Sequence, residues 1–392
     1  MRKARFLFLR RTYGYGGVEN RLIDWLTGVD YERADVTIIT HLDVFTDRFR
    51  ELNIPAEVET TSLGGWFSFG NLKGWYDLLK RHRPDIAVFL QGDFFDIPWF
   101  LFGVAKMVGV KKIYLTEHLA VDDPPVKPGG YYFNVIPRLN LGWRWRLRSH
   151  GARGRLADKV LAVSDGVRQK LLRWKYPEDN VVVIKHGVDT DLFRPSAESR
   201  TKFRERYGIP PHAQVIISTA RFEKQKRLER IAESFRALRG EYGRLWVVFA
   251  GDGSLVGEIR DAVGSDGRAL FLGLLRKPLI AEALQGSDIY VLASDNEGFS
   301  NALIEAMSTG LICVATKVPG SVDIIEDGVN GFLADARTED VLAMLRKVLA
   351  LDESRRAGIS ENARKTVKRS YQKDIVMREV LQHLELPPRV GH

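Results

Sequence analysis

Residues 288–317 read DIYVLASDNEGFSNALIEAMSTGLICVATK. Both ends are β-branched and apolar without alternation, which is how strands covered on both faces of a parallel sheet read. Between them a polar turn holds Glu297, Gly298, Ser300 and Asn301, and an apolar run with helical spacing then carries Glu305 and stops at Gly310. Strand, helix and strand in that order is the repeating unit of a parallel α/β sheet, so this stretch sets the fold class. One carboxylate then lies where a strand ends, and the other about one turn into the next helix. Acidic groups near a helix N-terminus are worth roughly 0.3–1 kcal/mol each, and Ser or Asn commonly caps that end, so helix electrostatics alone could place them. A second reading starts from location. Ligands of open α/β sheets bind outside the carboxyl ends of the strands, where free helix amides attract phosphate. Carboxylates beside those amides accept hydrogen bonds from sugar hydroxyls, so the turn suits a phosphorylated sugar.

The same rhythm runs along the chain. ARFLFL, DVTIIT, DIAVFL, KKIYLTEH, KVLAVS and VVVIKHG are strand candidates in the first half, and QVIISTAR, RLWVVFAG, RALFLG, DIYVLAS and LICVATK in the second. Residues 189–213, DTDLFRPSAESRTKFRERYGIPPHA, are polar and proline-bearing and separate the two sets. After Thr338 the chain becomes helical. The expected architecture is α/β, with two doubly wound Rossmann-like domains facing a central cleft. The expected boundaries are 1–187, 188–370 and a C-terminal helix and tail, 371–392, that packs back on the first domain.

A chain of 392 residues accommodates two ordinary domains, and its 45 % hydrophobic content supplies two cores, which excludes a disordered protein. The single cysteine, Cys313, excludes an intrachain disulfide and a cysteine-rich metal site. The apolar run in MRKARFLFLRR is too short for a secretory signal and reads as a first strand. PWFLFGVAKMVGV, from Pro98, carries Lys106 and falls short of the roughly 20 apolar residues a membrane span needs. Lysine and arginine number 59 against 50 acidic residues, a net charge of +9 that favours anionic partners such as nucleotides, nucleic acid or an anionic lipid surface.

Several side chains sit where strands are expected to end. Arg221 and Lys226 follow the first strand of the second half and could hold a diphosphate, Arg as a fork and Lys as a point charge; a solvated basic turn is the plainer alternative. Gly251 and Gly253 in AGDGS lack the full G-x-G-x-x-G spacing. Gly14, Gly16 and Gly17 follow the first strand and could let amides approach a phosphate closely, or form a simple turn. His41, His118 and His186 fall at or past strand ends; His118 precedes a long irregular segment that could cover a cleft. No His or Cys spacing suggests zinc. Residues 136–155, IPRLNLGWRWRLRSHGARGR, interleave Trp143 and Trp145 with Arg144, Arg146 and Arg148 and hold no acidic residue. They read as a solvated or packed basic helix, or as a segment for an anionic membrane interface.

Taken in order, GGVE, ADKVLAVSDGVRQKLL, IKHGVDTDLFRP, TARFEKQKRLERI, FAGDGS, FLGLL, EGFSNALIEAMSTG and EDGVNGFL cover nearly the whole chain. In this series the sequence resembles the retaining glycosyltransferases of family four, which have the two-domain GT-B fold. The resemblance implies that Glu305 bonds the ribose of a nucleotide and that Glu297 lies beside the transferred sugar. Amides of Gly298, Phe299, Ser300, Asn301, Ala302 and Leu303 would contact sugar and phosphate. Arg221 and Lys226 would clamp the diphosphate, Gly16 and Gly17 would close on it from the first domain, and His118 would stand near the sugar's reacting face. His186 falls in an interdomain stretch that looks structural. Arg227 stands where glycine is usual, Asp323 where glutamate is frequent, and Ile312 where proline is common.

The implied activity is metal-independent, retaining transfer from a nucleoside-diphosphate-sugar to a hydroxyl acceptor, with no cofactor and a UDP-sugar preferred to GDP-mannose. The acceptor would be a lipid-linked or other cell-surface glycan precursor, as in polysaccharide or lipopolysaccharide synthesis. The enzyme would be cytoplasmic and peripheral at the inner face of the membrane. A nucleotide-sugar epimerase of the same fold is the alternative enzyme, and a basic nucleic-acid binder the alternative class.

Overall fold

The computed structural model describes residues 2–10, 17–63, 71–91, 100–118, 131–132, 136–137 and 151–389. The chain divides into two compact units, residues 1–185 with 377–392, and residues 186–376.

The first unit is built on a seven-stranded parallel sheet. Its strands are β1 (Ala4–Arg10), β2 (Ala34–Thr40), β3 (Glu57–Thr60), β4 (Ile86–Gln91), β5 (Lys112–Glu117), β8 (Lys159–Ala162) and β9 (Val181–Val183), while β6 (Tyr131–Tyr132) and β7 (Ile136–Pro137) form a separate short antiparallel pair. The order across the sheet is β3-β2-β1-β4-β5-β8-β9. All six residues of β4 are buried, as expected of a strand covered on both faces. The tail beyond helix Lys373–Leu384 is fastened to this unit: Glu385 accepts from Lys112 Nζ at 2.6 Å and from Tyr114 Oη at 2.7 Å, and the Asp30 amide donates to the Pro387 carbonyl at 2.8 Å.

The second unit carries a six-stranded parallel sheet of β10 (Gln214–Thr219), β11 (Leu245–Ala250), β12 (Ala269–Phe271), β13 (Ile289–Leu292), β14 (Ile312–Thr316) and β15 (Phe332–Ala334), ordered β12-β11-β10-β13-β14-β15. Val215, Ile217, Tyr290 and Cys313 face one side and pack with Leu303, Ile304 and Met307, while Ile216, Val247 and Val291 face the other and pack with Ile231 and Phe235.

Two strands of these sheets, β3 and β15, are absent from the sequence reading. Both are edge strands. β3 reads EVET and is largely accessible, and the apolar run of β15 is only Phe332–Ala334 between Gly331 and Asp335, so neither has the longer apolar run that marks the other strands. In each sheet the order reverses beside the first strand, between β1 and β4 and between β10 and β13. Crevices at the carboxyl ends of such pairs are where α/β sheets bind ligands.

Candidate functional site

In the second unit, the turn after β10 and the turn after β13 are laced together. The Asp295 amide donates to the Gln225 carbonyl at 2.9 Å, and Gln225 Nε2 donates to the Asn296 carbonyl at 2.5 Å. This brings Lys226 onto Glu297: the ammonium bonds Oε1 of the carboxylate, which also accepts from Ser294 Oγ at 2.9 Å. Glu297 is only 7 % exposed, so its charge requires such partners. Lys224 is exposed and takes no part in this lacing. Arg221 is 71 % exposed along its side chain and reaches Glu223, within its own turn.

Helix Asn301–Thr309 begins at the same place. Ser300 is its N-cap, accepting from the Leu303 amide at 3.3 Å. The first-turn amides of a helix have no intrahelical carbonyl to meet, and they make this end electropositive. Leu303 contributes differently from its neighbours, because its amide serves the cap and its side chain is wholly buried. Glu305 lies one turn further on, half-buried. Burial drives the pKa of the Tyr290 hydroxyl far up, the Thr219 hydroxyl opposes the shift, and Cys313, Glu297 and Glu305 add smaller contributions to it.

The loop from Glu297 to Asn301 is wedged from two sides. A Cβ on Gly320 would come within 2.8 Å of Phe299 Cα and 3.1 Å of Glu297 Cβ, so only glycine fits there. On the other side the His186 ring stacks on Phe299 with centroids 4.2 Å apart, and its Nδ1 lies 2.5 Å from Asn301 Oδ1. Sequence reasoning gave His186 no site contact. Its strand-end position was the available signal, but nothing in the sequence pairs it with residues more than a hundred positions away. Gly251 and Gly253, weak as a nucleotide fingerprint, have a packing reason: a Cβ would meet the Ala220 carbonyl oxygen at 1.9 Å and the Phe222 carbonyl oxygen at 2.6 Å.

In the first unit, Gly17 opens helix Gly17–Leu26, and Glu19 in its first turn pairs with Arg10 at the end of β1, Nε to Oε1 at 2.8 Å, both buried. His118 follows β5 and is 7 % exposed. Its Nδ1 lies 2.6 Å from Arg21 Nη1 and its Nε2 2.9 Å from Thr116 Oγ1. Gly16, Trp143, Arg144, Trp145, Arg146 and Arg148 lie outside the described residues. Of the basic stretch 136–155, Arg153 turns inward instead of toward solvent. It donates to Gln91 Oε1 at 2.7 Å beside Glu117, whose Oε1 accepts from Tyr176 Oη at 2.9 Å. Among the described residues no group of three His, Cys, Asp or Glu side chains is placed to hold a metal, and no helix is long and apolar enough to cross a membrane.

Residues 15–192 match the family model Glycosyltransferase Family 4, and residues 199–366 match Glycosyl transferases group 1. The N-acetyl-alpha-D-glucosaminyl L-malate synthase of Bacillus anthracis is 26 % identical over 224 residues, 56 % of this chain and 58 % of its own length. The D-inositol 3-phosphate glycosyltransferase of Geodermatophilus obscurus is 29 % identical over 221 residues, 53 % of this chain and 49 % of its own. The chain thus spans about half the length of these curated relatives. In three dimensions it is similar to Anabaena Alr3699/HepE, crystallised with UDP and glucose, with a TM-score of 0.77 at 20 % identity over 97 % of this chain and 99 % of that one. That likeness covers both sheets and gives the GT-B fold. With these two family models matching successive parts of its length, the chain belongs to the family 4 glycosyltransferases.

Proposed function

We propose that this protein is a retaining glycosyltransferase that moves a sugar from a nucleoside diphosphate to a hydroxyl acceptor, its second unit holding the donor and its first the acceptor. The observation that carries this reading is the lacing of the turns after β10 and β13, which sets Lys226, Glu297 and the capped end of helix Asn301–Thr309 at one switch point. Glu305 would accept from ribose hydroxyls and Glu297 from the sugar. Lys226, Arg221 and the first-turn amides would neutralise charge that develops on the leaving diphosphate. In front-face transfer the bond from the sugar's anomeric carbon to the diphosphate breaks and a bond to the acceptor oxygen forms on the same side. The acceptor's proton passes to a diphosphate oxygen. The cations already present supply the positive charge for which other transferases recruit a metal, so transfer should proceed in EDTA.

A UDP-sugar is the donor we favour, since the similar Anabaena protein was crystallised with UDP and glucose. The acceptor we favour is a lipid-linked glycan at an anionic membrane surface. The basic, tryptophan-bearing composition of residues 136–150 supports that choice.

The test is to incubate the protein with UDP-sugars and GDP-mannose, with lipid-extract acceptors and with EDTA, and to read the anomeric configuration of the product by NMR. An α-linked product from an α-linked donor is expected. An inverted product, transfer abolished by EDTA and restored by a divalent ion, or a new epimer of the donor without acceptor would each overturn this reading.

A further inference from the structure

The contacts of His118 determine its chemical state. A guanidinium carries five N–H donors and no acceptor, so the nitrogen facing Arg21 must offer a lone pair. That nitrogen is Nδ1, at 2.6 Å. A hydrogen there would point one N–H at another. The neutral ring then carries its hydrogen on Nε2, which donates to Thr116 Oγ1 at 2.9 Å.

We propose that Arg21 is a positioning residue that holds His118 as the neutral Nε2–H tautomer, so that the imidazole neither takes nor gives a proton during transfer. This rests on the reading of His118 as part of the sugar site and refines it. Two effects favour the neutral ring: burial disfavours an imidazolium, and so does a cation in contact with it. Among the described residues, the charged groups that act on Arg21 are Asp24 and Glu19 on helix Gly17–Leu26 and Arg10 on β1, and Glu117, with Arg153 beside it, precedes His118 in the chain. Arg10 is matched by Glu19, and Glu117 is bonded by Tyr176. Burial lowers the Arg21 pKa to about 9, with Asp24 opposing, which leaves it cationic at neutral pH. A neutral ring has a chemical purpose here. Glycosyl transfer builds positive charge on the sugar in an oxocarbenium-like transition state. An imidazolium beside that sugar would oppose the charge.

Nitrogen-15 NMR of the histidine rings tests this without substrate, the His118 signals being assigned by their loss in His118→Gln. The wild type is expected to show hydrogen on Nε2 only, with a titration midpoint at least about one pH unit below the ordinary value near 6.5. Arg21→Lys, which keeps charge and donor, should preserve both features. Arg21→Gln, which removes the charge, should raise the midpoint by about one unit and move the acid limb of the pH–rate profile upward with it. Hydrogen on Nδ1 in the wild type, a wild-type midpoint near 6.5, or an unmoved midpoint in Arg21→Gln would each overturn the proposal. A UDP titration of the same samples separates the two claims. Failure to bind UDP would sink the donor-site reading while leaving the tautomer result standing. Normal UDP binding with a freely titrating His118 would sink this inference alone.

Discussion

Lys226 and Lys224 sit two positions apart in one short turn, yet only Lys226 reaches Glu297. Replacing Lys226 by Ala removes a cation from the leaving diphosphate and leaves a buried carboxylate uncompensated. Turnover should fall by a factor on the order of a hundred or more, as when one preorganised donor is lost from a transition state. Lys224→Ala should stay within about twofold of wild type, a change worth less than ~0.5 kcal/mol, as for surface positions away from any network. Steady-state rates with saturating donor decide this, and the reverse pattern would move the clamp to Lys224. Cys313 gives a second test at this scale. It is fully buried, and burial raises its thiol pKa far above the ordinary range, so it stays a neutral thiol through physiological pH. It should resist a thiol reagent at pH 8 in the folded protein and react at once in denaturant. The sequence singled out Glu297 and Lys226 separately, each at an expected strand end, and the structure pairs them. The sequence was silent where a contact joins distant residues, as between Arg21 and His118 or His186 and Asn301.

Among the elements, helix Asn301–Thr309 and the turn before helix Leu228–Leu238 carry the site. Ser300→Ala removes the cap bond to the Leu303 amide and should cost about 1 kcal/mol of stability. Denaturant melts measure that loss, and donor affinity should weaken with it because the amide end loses its fixed geometry. Arg227 adopts left-handed backbone, φ 50°, and binds Asp295 at 2.5 Å and Glu229 at 3.2 Å. That conformation explains why glycine is usual at this position in the family the sequence resembles. Arg227→Gly and Arg227→Ala lose the same ion pairs, but only Ala keeps the backbone cost. The Gly variant should therefore be the more stable by up to about 1 kcal/mol. Equal stabilities would mean that the turn relaxes out of the left-handed region. Inner strands were legible because burial on both faces demands unbroken apolar runs. The edge strand β3 was not, because its glutamates and threonine leave no apolar run, whereas the edge strands β9 and β12 carry one.

For the whole molecule, two doubly wound sheets were readable from the alternation of strand and helix signals along the chain. Stability toward acid belongs to this scale. Hydrogen bonds from Arg268 hold the Asp266 carboxyl down at about 2, against burial. A depressed carboxylate contributes stability that is present above its unfolded pKa, near 4, and is lost as pH falls through the folded value. Asp266→Asn should thus flatten the decline of melting temperature between about pH 4 and pH 2. An unchanged slope would show that Asp266 is not held by Arg268 in solution. A nucleoside-diphosphate site at the β10–β13 switch point can be measured by calorimetric titration of UDP into the wild type and Glu305→Gln. Glu305→Gln removes a charged acceptor, so the wild type should bind saturably and one-to-one, and the variant about ten- to hundredfold more weakly. Equal affinities in the two proteins, or no binding of UDP or GDP by the wild type, would contradict it.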